Sequence, residues 1–268
     1  MATTIPAEVL DVLKRSDIGH QFLRLPKGSL SRDVYVSVAK VCEAHGGKWN
    51  RNLKGIAWIG TDNTSGLIEA MNEGKYTDHQ KELGYFPTPA DLAERMVNRA
   101  LIAPYMTNNP LILEPSAGNG ALVEAAYNVH GSTCWINAIE IDAGRCATLR
   151  GEREAYNLPL SVMQADFLTL APDPVYDVVL MNPPFSGQGC RDLDASHILH
   201  AWKFLKPGGR LVSIAGAGLT SKMDGKAIVC RHMVQLARGT IEELPEHSFK
   251  VSGTHVATVM VTVDKPAN

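Results

Sequence analysis

The stretch Leu111-Ile112-Leu113-Glu114-Pro115-Ser116-Ala117-Gly118-Asn119-Gly120-Ala121 passes from an apolar triplet through a glycine-rich turn into a helix-forming segment. A short apolar run, a tight turn and a helix start form the strand–turn–helix unit of an α/β fold. Working outward, the alternation continues. Pro89 to Leu101 predicts a helix before this unit. After it, Ile136 to Ile141, Leu160 to Met163 and the very apolar Val175 to Met181 predict three further strands. Asp194 to Leu205 predicts a helix. Lys206-Pro207-Gly208-Gly209 is a turn leading into a strand over Arg210 to Ala215, and Thr254 to Val263 predicts the final strand. Apolar strands separated by helices belong to a parallel sheet covered on both faces, and such sheets bind ligands at the strands' carboxyl ends.

The first 80 residues read differently. Pro6 to Arg15 predicts a helix. Leu30-Ser31-Arg32-Asp33 opens a second one through Ala44, with Val34, Val38 and Val41 on one face, and Gly46-Gly47 stops it. Lys48-Trp49-Asn50 and Ile56-Ala57-Trp58-Ile59 flank a polar, glycine-containing turn, which predicts a β-hairpin; Thr64 to Asn72 predicts one more short helix. The boundaries are therefore a small α+β module over 1–80 and a larger α/β domain over 81–268. With 268 residues, 45% hydrophobic and 20% charged, the chain suits one large core plus a small accessory one. Net charge is −2, so any nucleic-acid surface must be local. The five cysteines form no CxxC pair, which reads as idle thiols in a reducing compartment. The start lacks the pattern of a secretory signal and no apolar run approaches membrane-span length, so a cytoplasmic protein without a membrane partner is expected.

The turn after the first strand supplies candidate ligand contacts at Glu114, Ser116, Ala117, Gly118 and Gly120. Glycines there let the backbone approach a ligand, and the helix from Ala121 presents its N-terminus. Glu140, followed by Ile141, ends the second strand about twenty residues later, where a carboxylate can accept from ribose hydroxyls. Asp166 and Phe167 follow the third strand; the first can accept from an adenine amino group and the second can pack on the ring. The Gly118-x-Gly120 turn alone also reads as an ordinary strand–helix connection. A dinucleotide fingerprint would want a third glycine where Val123 stands. Three strand ends in this order fit a mononucleoside-like cofactor better.

The fourth strand ends in Asn182-Pro183-Pro184-Phe185, the most specific signal in the chain. Two adjacent prolines stiffen the turn. The Asn182 side-chain oxygen and the Pro183 carbonyl can then accept from the two hydrogens of a planar amine whose ring stacks on Phe185. An exocyclic ring amine is a poor nucleophile because its lone pair is delocalised. Two acceptors on its hydrogens favour pyramidalisation and stabilise the developing positive charge.

From Phe86 onward, about two thirds of the chain, the sequence resembles class I S-adenosylmethionine-dependent methyltransferases of the amino-methylating DNA adenine type. Phe86-Pro87-Thr88-Pro89 resembles the family segment touching the methionine end of the cofactor, which implies Pro87 and Thr88 as cofactor contacts. Glu114 to Gly120 resembles the first cofactor motif, Glu140 the ribose-binding acid, and Asp166-Phe167 the adenine-binding position. Asn182, Pro183, Pro184 and Phe185 resemble the catalytic tetrapeptide, with Asn182 implied as a cofactor contact as well, and the motif order resembles the gamma arrangement. The resemblance implies a Rossmann-like, mostly parallel sheet of about seven strands with helices on both faces and its last strand antiparallel, Thr240 to Leu244 and Thr254 to Val263 closing it. It implies S-adenosylmethionine as cofactor, no metal, and double- or single-stranded DNA as partner. In one respect the chain departs from the pattern: only about eighty residues follow Phe185, too few for a large recognition domain beside the end of the sheet.

Between Lys14 and Lys54 basic residues outnumber acidic ones roughly three to one. Lys48, Asn50, Arg51 and Lys54 crowd the predicted hairpin and are candidate nucleic-acid contacts; solvated turn residues around a small Trp49–Trp58 core are the alternative. Ser186 to Asp194 reads as a loop able to close over a flipped base, with Arg191 as a phosphate contact or a plain surface arginine. His197 and His200 lie three apart on a helix, where a metal would need more ligands, so packing is expected. The leading function is methylation of the adenine N6 amine in DNA, the base rotated out of the duplex. The alternatives are a guanine amine in ribosomal RNA, a glutamine amide in a protein, and a nucleic-acid-binding module with a relict cofactor pocket. Intact Asn182, Asp166 and Glu140 argue against the last. No Pro-Cys pair exists to methylate a cytosine carbon.

Overall fold

A small antiparallel sheet organises the N-terminal residues in the computed structural model, which describes residues 3–19, 21–45, 47–50, 54–58, 64–76, 86–101, 109–185, 192–223, 225–246, 248–249 and 256–267. The chain divides into two compact units, Met1–Glu82 and Leu83–Asn268. In the first, the elements are β1 (Thr3–Thr4), α1 (Ala7–Arg15), β2 (Asp17–Gly19), β3 (Phe22–Arg24), α2 (Arg32–Ala44), β4 (Lys48–Asn50), β5 (Gly55–Ala57), α3 (Thr64–Glu73) and β6 (Lys75–Tyr76). Ser31 caps α2 by accepting from Val34 N at 3.3 Å, and Val34, Val38 and Val41 are buried as their spacing requires. The hairpin forms with Trp49 opposite Ile56. β2 and β3 extend it to a four-stranded sheet in the order β2-β3-β5-β4. These two strands are three residues each, too short to show alternation in sequence. The two tryptophans part company. Trp58 is buried, its Nε1 donating to His45 O at 2.7 Å, whereas Trp49 is half exposed and edge-on to Tyr35.

The second unit continues with α4 (Ala90–Leu101), β7 (Leu111–Glu114), α5 (Ala121–His130), β8 (Trp135–Glu140), α6 (Ala143–Tyr156), β9 (Leu160–Gln164), β10 (Tyr176–Met181), α7 (Leu193–Ala201), β11 (Leu205–Gly216), α8 (Gly218–Ser221), α9 (Gly225–Leu236), β12 (Thr240–Glu243) and β13 (Thr258–Asp264). Its seven strands form one sheet in the order β12-β13-β11-β10-β7-β8-β9. β13 alone runs antiparallel to its neighbours β11 and β12. This is the Rossmann-like α/β architecture of class I methyltransferases.

Alternating side chains divide the core into two layers. Ile112, Val178 and Leu180 pack beneath α4 and α5 with Met96, Leu122 and Val123. Leu113, Val179 and Met181 face the other way, against Ile198, Ala227 and Val234 of α7 and α9. Burial on both faces explains why these strands read as continuous apolar runs. The Lys206–Gly209 turn survives as an irregularity within β11: Tyr176 pairs with Leu205, but the next pair is Val178 with Arg210. The helix expected to reach Leu205 stops at Ala201. Thr254 and His255, expected to open the last strand, lie outside the described residues. Among the described residues no helix is long and apolar enough to cross a membrane.

Candidate active site

The chain leaves β7 toward one side of the sheet and β10 toward the other, and these two strands are neighbours. Their carboxyl ends therefore flank the crevice where such sheets bind ligands. Glu114 ends β7, and Asn182 follows β10.

The glycine turn is held from the neighbouring strand. Ala117 N donates to Ile139 O at 3.0 Å and Gly118 N donates to Glu140 Oε2 at 2.7 Å. The other Glu140 oxygen accepts from Asp142 N at 2.9 Å and from Arg145 at 3.4 Å. Glu140 thus shapes the turn and, of about four acceptor sites, retains one beyond these three bonds. Gly120 has φ 84°, and a Cβ there would lie 2.8 Å from the Leu149 side chain, so a larger residue would strain the backbone and displace Leu149. Glu114 is almost wholly buried and accepts from Ser116 N at a long 3.4 Å. Burial, together with the nearby Glu140 charge, pushes its carboxyl up to about 8, despite the opposing bond from Ser116. It is therefore mostly protonated at neutral pH.

Asn182 is fixed from a distant segment. Its Nδ2 donates to Phe86 O and to Thr88 Oγ1, both at 3.0 Å. A main-chain carbonyl can only accept, so the amide nitrogen must face Phe86, and Oδ1 is what the side chain can offer a substrate. The Phe86 and Phe185 rings stack with centroids 6.3 Å apart. Phe86, Thr88, Glu114, Ser116, Ala117 and Asn182 line one cleft with Ala121 and Leu122.

The remaining expected residues fall into groups. Pro183 is buried and Pro184 half-buried in the turn; Pro87 is exposed. Ile141 is 49% exposed beyond β8 and offers an apolar surface. Asp166 is exposed, one oxygen accepting from Leu168 N at 3.0 Å. Phe167 departs from expectation. Its ring is buried against His197, His200 and Phe204, so it belongs to the core beneath α7 and has no free face for a cofactor ring. The same contacts account for both histidines, whose burial holds them below the usual imidazole range. Among the described residues no three His, Cys, Asp or Glu side chains converge as metal ligands. In the N-terminal unit Lys54 is exposed, with left-handed backbone (φ 48°), and Asn50 pairs with Gly55. Lys48 sits in β4 opposite Ala57. Arg51, Arg191 and the Ser186–Arg191 loop lie outside the described residues. The Phe86 carbonyl and Arg145 escaped the sequence reading. A backbone acceptor carries no residue-type signal, and an arginine in the polar segment of α6 reads as solvated.

The family model described as "Methyltransferase small domain" matches residues 93–235, more than half of the chain. The chain belongs to this family. As a methyltransferase its cofactor is S-adenosylmethionine. The methyltransferase fold is shared with the methyltransferase subunit of a type I restriction-modification system from Streptococcus thermophilus (TM-score 0.58, 19% identity, 76% of this chain and 48% of that one). It is shared with a protein from Listeria monocytogenes described as a class I S-adenosylmethionine-dependent methyltransferase (TM-score 0.55, 17% identity, 76% and 67%) and one from Pyrococcus horikoshii described as an RNA methyltransferase (TM-score 0.50, 18% identity, 70% and 88%). The chain spans about half the length of the Streptococcus subunit. No curated protein sequence matches it. The site's donor set fits the cofactor: a buried acid held neutral by desolvation is a group that a sulfonium- and ammonium-bearing ligand would ionise.

Three outcomes test this geometry. Thr88→Val keeps the shape but removes the acceptor for one Asn182 proton; a lost hydrogen bond of about 1 kcal/mol lowers the single-turnover rate roughly fivefold, with Thr88→Ser retaining most of it. Glu114 makes folding pH-dependent. The native state holds a proton that the unfolded chain releases above about 4.5, so the stability of the ligand-free protein falls as pH rises from there towards about 8 and levels off above. Denaturant titrations across that range should show the fall, and Glu114→Gln should remove this component. Calorimetry of cofactor binding near pH 7 in buffers of different ionisation enthalpy should show proton release that Glu114→Gln abolishes.

Proposed function

We propose that this methyltransferase acts on the N6 amine of adenine in DNA, with the base rotated into a pocket built by Asn182, Pro183, Pro184 and Phe185. One observation supports the reading: the Asn182 amide is pinned through its nitrogen, which leaves Oδ1 as the atom the side chain can offer a substrate amine. Asn182 Oδ1 and the Pro183 carbonyl take the two amine hydrogens and stabilise the charge that grows as the nitrogen attacks. Phe185 offers its face to the base, steadied from behind by Phe86. S-adenosylmethionine supplies an activated methyl on a sulfonium, so positioning does much of the remaining work. Pro87, Thr88, Glu114, Ser116, Ala117, Gly118 and Gly120 surround its methionine portion, Glu140 accepts from the ribose, and Asp166 accepts from its adenine. Ile141, rather than the Phe167 ring, packs on that adenine.

DNA is favoured by the basic excess between Lys14 and Lys54, and by the fold shared with a subunit whose system is one of restriction and modification. Lys48, Asn50, Arg51, Lys54 and Arg191 are the proposed phosphate and groove contacts.

Incubation with methyl-labelled cofactor and separate DNA, RNA and protein pools should place the label in N6-methyladenine of DNA. Label in guanine of RNA, or in glutamine, would replace the reading with that substrate. Asn182→Ala should abolish transfer while cofactor affinity measured by calorimetry changes little. Replacing Lys48, Arg51 and Lys54 together by glutamine should weaken DNA binding and reduce the slope of log K against log salt by up to about three. An unchanged slope would move the DNA surface off the hairpin.

A further inference from the structure

β11 ends at Gly216 beside the catalytic turn: a Cβ on Gly216 would sit 3.9 Å from the Phe185 side chain. The chain then makes the short α8 and runs into Lys222 and Met223, and contacts tie the chain down both at Lys222 and at Gly225, where α9 begins. Lys222 Nζ pairs with the carboxylate of Asp192, seven residues past Phe185. Gly225 has φ 63°, and a Cβ there would fall 2.9 Å from Asp192 Oδ2, so a larger residue would strain the backbone and push the Asp192 carboxylate aside. Arg231 of α9 donates to Leu219 O at 2.5 Å and fixes the approach to Lys222. Between the tied residues stands Met223, 80% exposed. A lone exposed methionine is unremarkable on a loose loop. Here the chain is held at Lys222 and Gly225 against Asp192, and cations flank the methionine in sequence. Residues 219–238 carry Lys222, Lys226, Arg231 and Arg238 against the one acid Asp224, in a chain of net charge −2.

An adenine in a duplex is stacked and paired, so its amine reaches the Asn182 pocket only if the base leaves the stack. Proteins that open base steps insert an apolar side chain, methionine among them, and hold the adjacent phosphates with cations. We infer that Met223 is a duplex-opening wedge, inserted where the target base departs, with Lys222 and Lys226 on the flanking phosphates. The inference rests on the adenine-in-DNA reading and adds to it a specificity for paired DNA that resides in the catalytic unit itself. Lys222 exchanges its Asp192 partner for phosphate when DNA arrives.

The test compares the full-length enzyme on the same unmethylated genomic DNA in native and heat-denatured form, with labelled cofactor. Met223→Ala should lower the duplex-to-single-strand ratio of kcat/KM by about tenfold or more, because a single strand needs no wedge, and Met223→Leu should keep the ratio. Lys226→Gln should reduce the salt slope of duplex binding by about one. Wild-type labelling of DNA with an unchanged ratio in Met223→Ala would overturn the wedge and leave the substrate reading standing. Wild-type enzyme that labels neither form of DNA would overturn both.

Discussion

A carboxamide has two hydrogens to give and one oxygen with which to accept, and at Asn182 both hydrogens are committed to residues almost a hundred positions earlier in the chain. This is the constraint on which the rest of the site depends. The partners differ in kind. The Phe86 carbonyl cannot donate, so it decides which way round the amide sits; the Thr88 hydroxyl accepts from Asn182 and keeps its own proton for another partner. Prolines at 87 and 89 limit the backbone freedom of this segment, which makes a distant loop a firm support. The same residues line the cleft with Glu114 and Ser116, so under the proposed function the wall that receives the methyl donor also orients the acceptor for the nucleophile.

The sheet provides the opening for this arrangement. Because β7 and β10 are neighbours whose chains depart in opposite directions, a gap forms at their carboxyl ends. Glu140, from the next strand, fastens the glycine turn by its Gly118 bond, so that side of the gap is shaped before any ligand arrives. Desolvating Glu114 works against stability at neutral pH, a cost that the two packed core layers on either side of the sheet must offset.

Most of the catalytic unit was legible in the sequence because its strands are buried on both faces and its turns are marked by glycine and proline. Leu111–Glu114, Tyr176–Met181 and the Asn182 tetrapeptide fell where their patterns placed them. What was missed lacked a pattern. α6 buries Arg145, Cys146 and Leu149 within an otherwise polar segment, a stripe too thin to show helical periodicity. Phe167 was misjudged because an aromatic after an acid at a strand end reads the same whether its ring faces a ligand or the core, and only the histidines of α7, distant in sequence, decide between them. The Phe86 carbonyl had no residue-level signature at all.

The order of strands also bears on how the protein is made. β13 is synthesised after β12 yet lies between β12 and β11. Until residues 258–264 emerge from the ribosome, β12 has no partner in the sheet and the apolar edge of β11 at Leu211, Val212 and Ile214 stays unpaired. A nascent or truncated chain in that state carries an open strand edge able to recruit a like edge from another molecule. Completion of the sheet is thus a late event in biogenesis, and a chaperone shielding that edge would do so in the interval between the two final strands.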